Sequence, residues 1–223
     1  MDNYSMIDRK QTRLAIIGAG ELGKLIAYHA VQDGGHTAIG FYDDFKKGVG
    51  PDGLPVLGAV AQILPDYKAG KFDALMIGIG YNHMKIREGY LKEFKGKIPF
   101  LNLIHSSSYI DPSVIQGEGI FVLPGVTIDA GVVLHDNILI NAGAIVAHHT
   151  SIGDNTFIAP GATIAGLVQI GKNCFIGIGS TILDCLNIAS CSTIGAGAVV
   201  TKDTKSHSVS IGVPAKIIRY NPE

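Results

Sequence analysis

The sequence contains no tryptophan, only three cysteines, and no marked excess of either charge among its 223 residues. A formal net charge of −1 and a pI near 6.7 do not indicate a surface for nucleic acid or for an anionic membrane. The cysteines form no C-x-x-C pair, which favours reduced thiols in a cytoplasmic protein. No apolar run is long enough for membrane insertion, and the polar start does not resemble a signal peptide. The positive mean hydropathy therefore predicts a large buried core.

Strand-like and helical patterns alternate over residues 13–105, after a flexible leader at residues 1–12. Because the strand-like runs are apolar throughout, they predict a small α/β domain, Rossmann-like, whose parallel sheet is covered on both faces. We expect strands at 14–20, 37–44, 74–80 and 98–104, and helices at 21–33 and 82–95.

A six-residue repeat replaces this alternation over residues 106–204, before a C-terminal tail at residues 205–223. When the chain is divided into hexads from Tyr109, the second position is Ile, Val or Leu in 15 of 16 hexads, with Gln116 as the exception. The sixth position is mostly small or β-branched, so the second and sixth positions point inward along a short strand. Three hexads per coil describe an all-β, triangular parallel β-helix with layers roughly 4.8 Å apart.

Glycine and asparagine dominate the fifth position of the hexads, where the corners of a triangle need left-handed backbone. These residues are Gly125, Gly131, Asn137, Gly143, Asn155 and Gly161. Cys185 and Cys191 are one hexad apart and fall at different corners, so we expect no disulfide between them.

One face of the predicted prism carries an apolar stripe at its outward positions, formed by Phe121, Leu139, Phe157 and Phe175. A continuous exposed stripe of this size is typical of a subunit contact. We therefore expect a closed homo-oligomer, and a trimer suits a triangular prism.

The motif Gly18-x-Gly20-x-x-Gly23 follows a predicted strand and opens a predicted helix, and Asp43 lies 20 residues beyond Gly23. This arrangement predicts backbone N–H groups and a helix start that face a pyrophosphate. The α/β region ends near residue 105 without a second mononucleotide-binding half, which favours a nucleotide-sugar over NAD(P). A purely structural tight turn is the third interpretation.

His148 and His149 are adjacent in the run IVAHHTSIGDNT. His149 occupies a fifth position and can be a turn residue, because histidine tolerates left-handed backbone better than most side chains. His148 has Ala130 one coil below and Gly166 one coil above, and these small neighbours predict a notch for a ligand. The alternatives for His148 are a solvated corner residue and a zinc ligand together with His149 and His135.

The hexads, the segments APGATIAG (159–166) and IGKNCFIGIGS (170–180), and the tail GVPAKIIR (212–219) resemble the left-handed β-helix acyltransferases. With the leading IIGAGELG and the acidic FYDDF (41–45), the whole layout is similar to the bacterial nucleotide-sugar acetyltransferases. These include the bacillosamine-pathway N-acetyltransferase and the sialic acid O-acetyltransferase-like group. The resemblance extends from about Leu14 to Arg219.

The resemblance implies a nucleotide-linked sugar bound by the N-terminal domain and acetyl-CoA bound between adjacent subunits of a homotrimer, with no metal. It also implies that His148 is the catalytic base, with His149 beside it. The implied substrate contacts are Gly18, Gly20, Glu21, Leu22, Gly23, Asp43, Asp44, Gly80 and Asn141. The implied acetyl-CoA contacts are Phe157, Gly166, Gly177, Ile178, Ala196 and Lys216.

Two positions depart from the bacillosamine-pathway enzymes: His149 stands where they carry an acidic residue, and Phe157 stands where a histidine is implied to contact acetyl-CoA. We expect acetyl transfer to an amino group of a nucleotide-linked sugar in bacterial surface-glycan biosynthesis. The alternatives are O-acetylation of a sugar such as sialic acid, a non-catalytic trimeric nucleotide-sugar-binding protein, and a zinc-dependent enzyme similar to carbonic anhydrase.

Overall fold

The computed structural model describes residues 11–222, so most of the predicted leader lies outside the described residues. The chain folds into two compact units. The first contains the described residues up to Ile79 and the segment Gly96–Phe100, and the second contains Gly80–Lys95 and the chain from Leu101 onward.

The first unit is a four-stranded parallel sheet with the order β3-β2-β1-β4. Its strands are β1 (Arg13–Ile17), β2 (Thr37–Tyr42), β3 (Val56–Gly58) and β4 (Ala74–Ile77), and its helices are α1 (Glu21–Gln32) and α2 (Ile63–Lys68). Two short 3-10 turns occupy Pro51–Gly53 and Val60–Gln62. The predicted α/β class and helix α1 are confirmed, while β3 and α2 were not predicted.

The predicted strand at 98–104 is wrong, because its two ends belong to different units. Phe100 forms an isolated parallel bridge with Leu75 in the first unit. Leu103–Ile104 instead pairs with Phe121–Val122 and begins the second unit. Its apolar composition is shared by both environments, so the pattern did not reveal the break.

The second unit begins with a 3-10 turn, Tyr81–His83, and helix α3, Met84–Phe94, and continues as a parallel β-helix with three faces. The strands of face 1 are Leu103–Ile104, Phe121–Val122, Leu139–Ile140, Phe157–Ile158, Phe175–Ile176, Thr193–Ile194 and Ser208–Ile211, followed by the antiparallel Lys216–Tyr220. Those of face 2 are Tyr109–Ile110, Thr127–Ile128, Ile145–Val146, Thr163–Ile164, Thr181–Ile182 and Val199–Val200. Those of face 3 are Ile115–Gln116, Val133–Leu134, Ser151–Ile152, Gln169–Ile170 and Asn187–Ile188.

The predicted inward positions of the hexads are confirmed. Side chains at the second position, such as Ile128 and Ile164, and at the sixth position, such as Ala144 and Ala162, are fully buried in one continuous core. Outward residues at the first position stay available to solvent or to other elements. The register between coils joins residues 18 apart, as in the pairing of Ile145 with Thr163.

Three corners connect the faces: the first corner joins face 1 to face 2, the second joins face 2 to face 3, and the third joins face 3 to face 1. The fifth hexad positions from Gly119 to Gly197 are left-handed, with φ of 54° at Asn137 and 57° at Asn155. Cys185 and Cys191 are also left-handed corner residues, and both are free thiols as predicted.

The interpretation of the apolar stripe as a subunit contact is wrong for its lower half. Phe121 and Leu139 are each only 2% exposed within the single chain. In the upper half, the ring of Tyr81 packs against Phe157 and Phe175, with ring centroids 5.2 and 4.4 Å apart. The chain therefore buries the lower half of the stripe itself, while Phe157 and Phe175 stay partly exposed beside Tyr81.

Helix α3 is attached to the β-helix along a column of asparagines at the third corner. Asn137 donates to Oδ1 of Asn155 (2.8 Å), and Asn155 donates to Oδ1 of Asn173 (2.7 Å) and to the carbonyl of Met84 in α3 (2.9 Å). Asn173 in turn donates to the carboxylate of Glu88. None of the helices in residues 11–222 combines the length and hydropathy that a membrane span requires.

Candidate functional site

The glycine-rich turn has the local structure that the sequence predicts. β1 ends at Ile17, Gly18 follows with φ of 99°, and helix α1 begins at Glu21. A Cβ atom on Gly23 would lie 2.1 Å from the carbonyl oxygen of Gly18, so only glycine allows the helix to start this close to the turn. Glu21, Leu22 and Gly23 thus form the first turn of a helix whose N-terminus is adjacent to a parallel sheet, an arrangement suited to a phosphate.

Asp43 ties this turn to the loop after β2. Its Oδ2 accepts the N–H of Ala19 at 2.9 Å, and its Oδ1 accepts the N–H groups of Phe45 and Lys46 at 2.9 and 3.0 Å. Partial burial acts to raise the pKa of Asp43, but these three hydrogen bonds to the charged form lower it below the ordinary value. Its neighbour Asp44 accepts the N–H of Val60 at 2.9 Å.

Two residues beside the turn could take part in the site and were not predicted from the sequence. The ammonium group of Lys46 donates to the carbonyl of Ala19 at 2.7 Å, which places a positive charge next to the start of α1. Phe45 is 95% exposed and follows the acidic pair directly. The sequence does show these two residues, because in the run FYDDFK the acidic pair is followed directly by an aromatic residue and a lysine. Gly80 has ordinary extended backbone, and an added Cβ there would meet nothing within 4 Å.

His148 and His149 lie at the second corner, where their imidazoles contact each other. The two Nδ1 atoms are 3.2 Å apart, and the ring planes are inclined at 78°. His149 has φ of 56°, so it is a left-handed corner residue as well as a hydrogen-bonding partner. Both side chains are exposed in the single chain.

Each imidazole lies over a glycine of a neighbouring coil. A Cβ atom on Gly166 would be 2.6 Å from Cε1 and Nε2 of His148, and a Cβ on Gly131 would be 2.8 Å from Cδ2 of His149. The His148 ring therefore lies in the space beside Gly166, and the ligand notch at this corner stays a prediction. The same contact gives Gly166 a clear role in seating His148.

The three histidines of the zinc alternative do not meet within one chain. His135 lies at the third corner, on another edge of the prism from His148 and His149. Within residues 11–222, no cluster of three metal-ligating side chains is found.

The residues predicted to bind acetyl-CoA occupy several places on the β-helix. Gly177, Ile178 and Ala196 meet at the first corner, where a Cβ on Gly177 would be 2.7 Å from the backbone nitrogen of Ala196. Asn141, which is predicted as a substrate contact, lies at the same first corner. Its side chain donates to the carbonyl of Ile158 at 3.0 Å. Lys216 is exposed in the final strand.

Phe157 and Gly166 lie apart from that group. Phe157 is on face 1 in contact with Tyr81, and Gly166 is at the second corner next to the ring of His148. One hexad of extended chain separates the first and second corners, which is on the order of 15–20 Å. One β-helix therefore carries the predicted acetyl-CoA contacts of the first corner and the histidine pair on two different edges.

Comparisons with known proteins agree with this architecture. The family model described as PglD N-terminal domain matches residues 13–93, and the model described as bacterial transferase hexapeptide (six repeats) matches residues 131–166. No curated protein matches the sequence.

Three solved structures are similar over almost the whole chain. The acetyltransferase domain of PglB from Neisseria gonorrhoeae FA1090 is 30% identical with a TM-score of 0.84, and the match covers 93% of this chain and 100% of that one. Its complex with acetyl coenzyme A is 31% identical with a TM-score of 0.83, over 93% and 100%. A histidine-to-asparagine mutant of perosamine N-acetyltransferase from Caulobacter crescentus, in complex with CoA and GDP-perosamine, is 30% identical with a TM-score of 0.86, over 92% and 96%.

The predicted family and the predicted handedness of the coil are confirmed by these matches. Because identities of at least 30% extend over more than nine-tenths of both chains, the protein belongs to the nucleotide-sugar acetyltransferases of the hexapeptide-repeat superfamily, with a left-handed β-helix.

Proposed function

We propose that the protein transfers the acetyl group of acetyl-CoA to an amino group of a nucleotide-linked sugar. The observation that carries this proposal is the pair of imidazoles at the second corner of a β-helix whose relatives bind acetyl-CoA, or CoA with GDP-perosamine. The first unit supplies a glycine-rich turn, a helix N-terminus and Lys46 for the diphosphate of the acceptor.

His148 is the general base of this reaction. The sugar amine attacks the thioester carbonyl, a C–N bond forms, and the C–S bond of acetyl-CoA breaks. The imidazole takes the proton that the amine loses and returns it to the departing sulfur, so that free CoA leaves as a thiol. General-base catalysis of this kind contributes roughly 10²–10⁴-fold to the rate.

The active protein is a homotrimer in which acetyl-CoA binds between subunits. Two observations support this assembly. The predicted donor residues at the first corner and His148 at the second corner lie on different edges of one chain, so a second copy is needed to bring such edges together. The large apolar side chains that remain exposed around face 2 include Tyr109, Ile145, Leu167, Ile178 and Leu183. We place the reaction in the cytoplasm, where the three free thiols stay reduced.

The test is release of free CoA from acetyl-CoA in the presence of a panel of nucleotide-linked amino sugars, with the corresponding hydroxyl sugars as matched controls. We expect CoA release with at least one amino sugar and none with its hydroxyl counterpart. His148→Ala should lower kcat by at least about 10²-fold while the affinities for both substrates are retained. Turnover of hydroxyl sugars alone, or full activity of His148→Ala, would contradict the proposal.

A further inference from the structure

The contact between the two Nδ1 atoms at the second corner constrains where protons reside. At 3.2 Å the Nδ1 atoms of His148 and His149 are within hydrogen-bond distance. A hydrogen bond needs one donor and one acceptor, so only one of the two nitrogens carries a proton while the contact exists. The two rings therefore occupy a linked pair of tautomers.

Both rings are held by the coils around them. The N–H of His149 donates to the carbonyl of Ala130 at 2.9 Å, and the carbonyl of His148 accepts the N–H of Leu167 at 2.9 Å. The His148 ring lies over Gly166 and the His149 ring over Gly131, so the two imidazoles extend toward opposite coils and meet only through their Nδ1 atoms. With the backbone tied on both sides, the side-chain torsions are the remaining freedom, and the two glycines leave room for the rings in these positions.

We infer that His149 is a positioning residue, which accepts the Nδ1–H of His148 and so keeps the Nε2 atom of His148 unprotonated and available. The opposite tautomer would place a proton on Nε2 of His148 and leave no basic nitrogen on that ring. The inference rests on the proposed function, because it assigns the reacting nitrogen of the proposed base.

The arrangement also suits the charge that base catalysis creates. When Nε2 of His148 takes a proton, the ring becomes an imidazolium that still donates its Nδ1–H to the neutral His149. The hydrogen bond is therefore kept through the proton transfer. If a second added proton went to Nδ1 of His149, two Nδ1–H donors would face each other and the contact would break.

The first experiment reads the tautomers without any substrate. Long-range ¹H–¹⁵N spectra of the full-length protein, with the His148 signals assigned by His148→Gln, should show His148 protonated at Nδ1 and His149 unprotonated at Nδ1. In His149→Gly, which keeps the left-handed corner but removes the acceptor, His148 should move toward a mixture of tautomers. A His148 ring protonated at Nε2, or a spectrum that His149→Gly leaves unchanged, overturns the inference whether or not the enzyme acetylates sugars.

The second experiment is rescue. Asparagine tolerates left-handed backbone at the corners of this chain, and its Oδ1 stands as many bonds from the backbone as the histidine Nδ1. His149→Gly should lower kcat by about 10–100-fold, the cost known for losing a partner that orients a metal-bound histidine through its second nitrogen, and His149→Asn should recover most of this loss. KM values for both substrates should stay unchanged. Equal losses in the two variants overturn the role as acceptor, whereas absence of turnover in the unmutated protein counts against the proposed function alone.

Discussion

Arg87 of helix α3 donates its Nε–H to Oδ1 of Asn155, 68 residues further along the chain, at 3.0 Å. A second donor of the guanidinium, on Nη2, reaches Oδ1 of Asn137 at 3.2 Å. The side chain is buried, and this burial lowers the pKa of Arg87 to about 10. A charged group that is buried in this way destabilises the folded protein unless its hydrogen bonds are made.

Arg87→Ala should weaken the attachment of α3 to the β-helix. Hydrogen bonds to charged groups contribute roughly 1.5–3 kcal/mol, so we expect the free energy of unfolding to fall by at least about 2 kcal/mol. Hydrogen–deuterium exchange should show faster exchange of the amides of α3, with protection of the β-helix strands retained. Lys85→Ala, on the exposed side of the same helix, is the control and should leave that exchange unchanged. Equal effects of the two variants would contradict the anchoring role of Arg87.

Tyr81 covers the upper part of the apolar stripe through its ring rather than its hydroxyl group. Tyr81→Ala should lower the stability of the second unit by the lost burial and by about 0.5–1.5 kcal/mol for each aromatic pair with Phe157 and Phe175. Tyr81→Phe keeps the ring and should be close to neutral. Urea denaturation followed by circular dichroism measures both, and a similar loss in Tyr81→Phe would show that the ring packing does not carry the effect.

Asp43 makes the stability of the first unit depend on pH in acid. Its pKa is lowered in the folded chain, so its contribution is fully present above the unfolded value of about 3.9 and is lost as the pH falls through the lower folded value. The difference in unfolding free energy between the unmutated protein and Asp43→Asn should be constant at neutral pH and shrink below about pH 4. Asp52→Asn removes an exposed ion pair with Lys24 and should give a much smaller difference. A difference for Asp43→Asn that grows in acid would contradict this sign.

The repeat could be predicted from the sequence because each hexad encodes its own geometry. Asn137 and Asn155 recur at the position that requires left-handed backbone, and residues such as Ile164 recur at the position that faces the core. Both properties depend on neighbours in sequence or on the coil directly above or below. The turn around Gly18 and Gly23 was predictable for the same reason.

The placement of α3 was not predictable, because it depends on contacts between distant segments. Arg87 resembles a solvated charge in the sequence, and only the asparagine column at the third corner gives it a buried place. The apolar stripe was assigned to a subunit contact because a periodic pattern shows that a surface is covered but does not show by what. The contact between the two histidine rings depends on side-chain torsions, on which periodicity carries no information.

Gly166→Ala should displace His148 without altering the coil. The backbone of Gly166 is not left-handed, so alanine is tolerated there, but its Cβ would lie 2.6 Å from the imidazole. We expect kcat to fall by at least about tenfold, within the range for impairing a general base, with an unchanged melting temperature. Asp184→Ala, one coil above in the same column, is the control and should retain activity. A fully active Gly166→Ala enzyme would show that the position of the ring over Gly166 is not needed.

The exposed apolar side chains of face 2, and not the stripe of face 1, should form the contact between subunits. Leu139 is buried within its own chain, so Leu139→Asp should destabilise the fold itself, by roughly 3–5 kcal/mol, as expected for a charge placed in a packed site. Ile145 is 45% exposed at an outward position of face 2, so Ile145→Asp should leave the folded chain intact but produce monomers. Gln169→Asp, at the outward position of face 3, should leave the trimer unchanged. Sedimentation velocity together with thermal melting separates these outcomes. A folded Ile145→Asp trimer, or a stable monomer of the unmutated protein, would contradict this assembly.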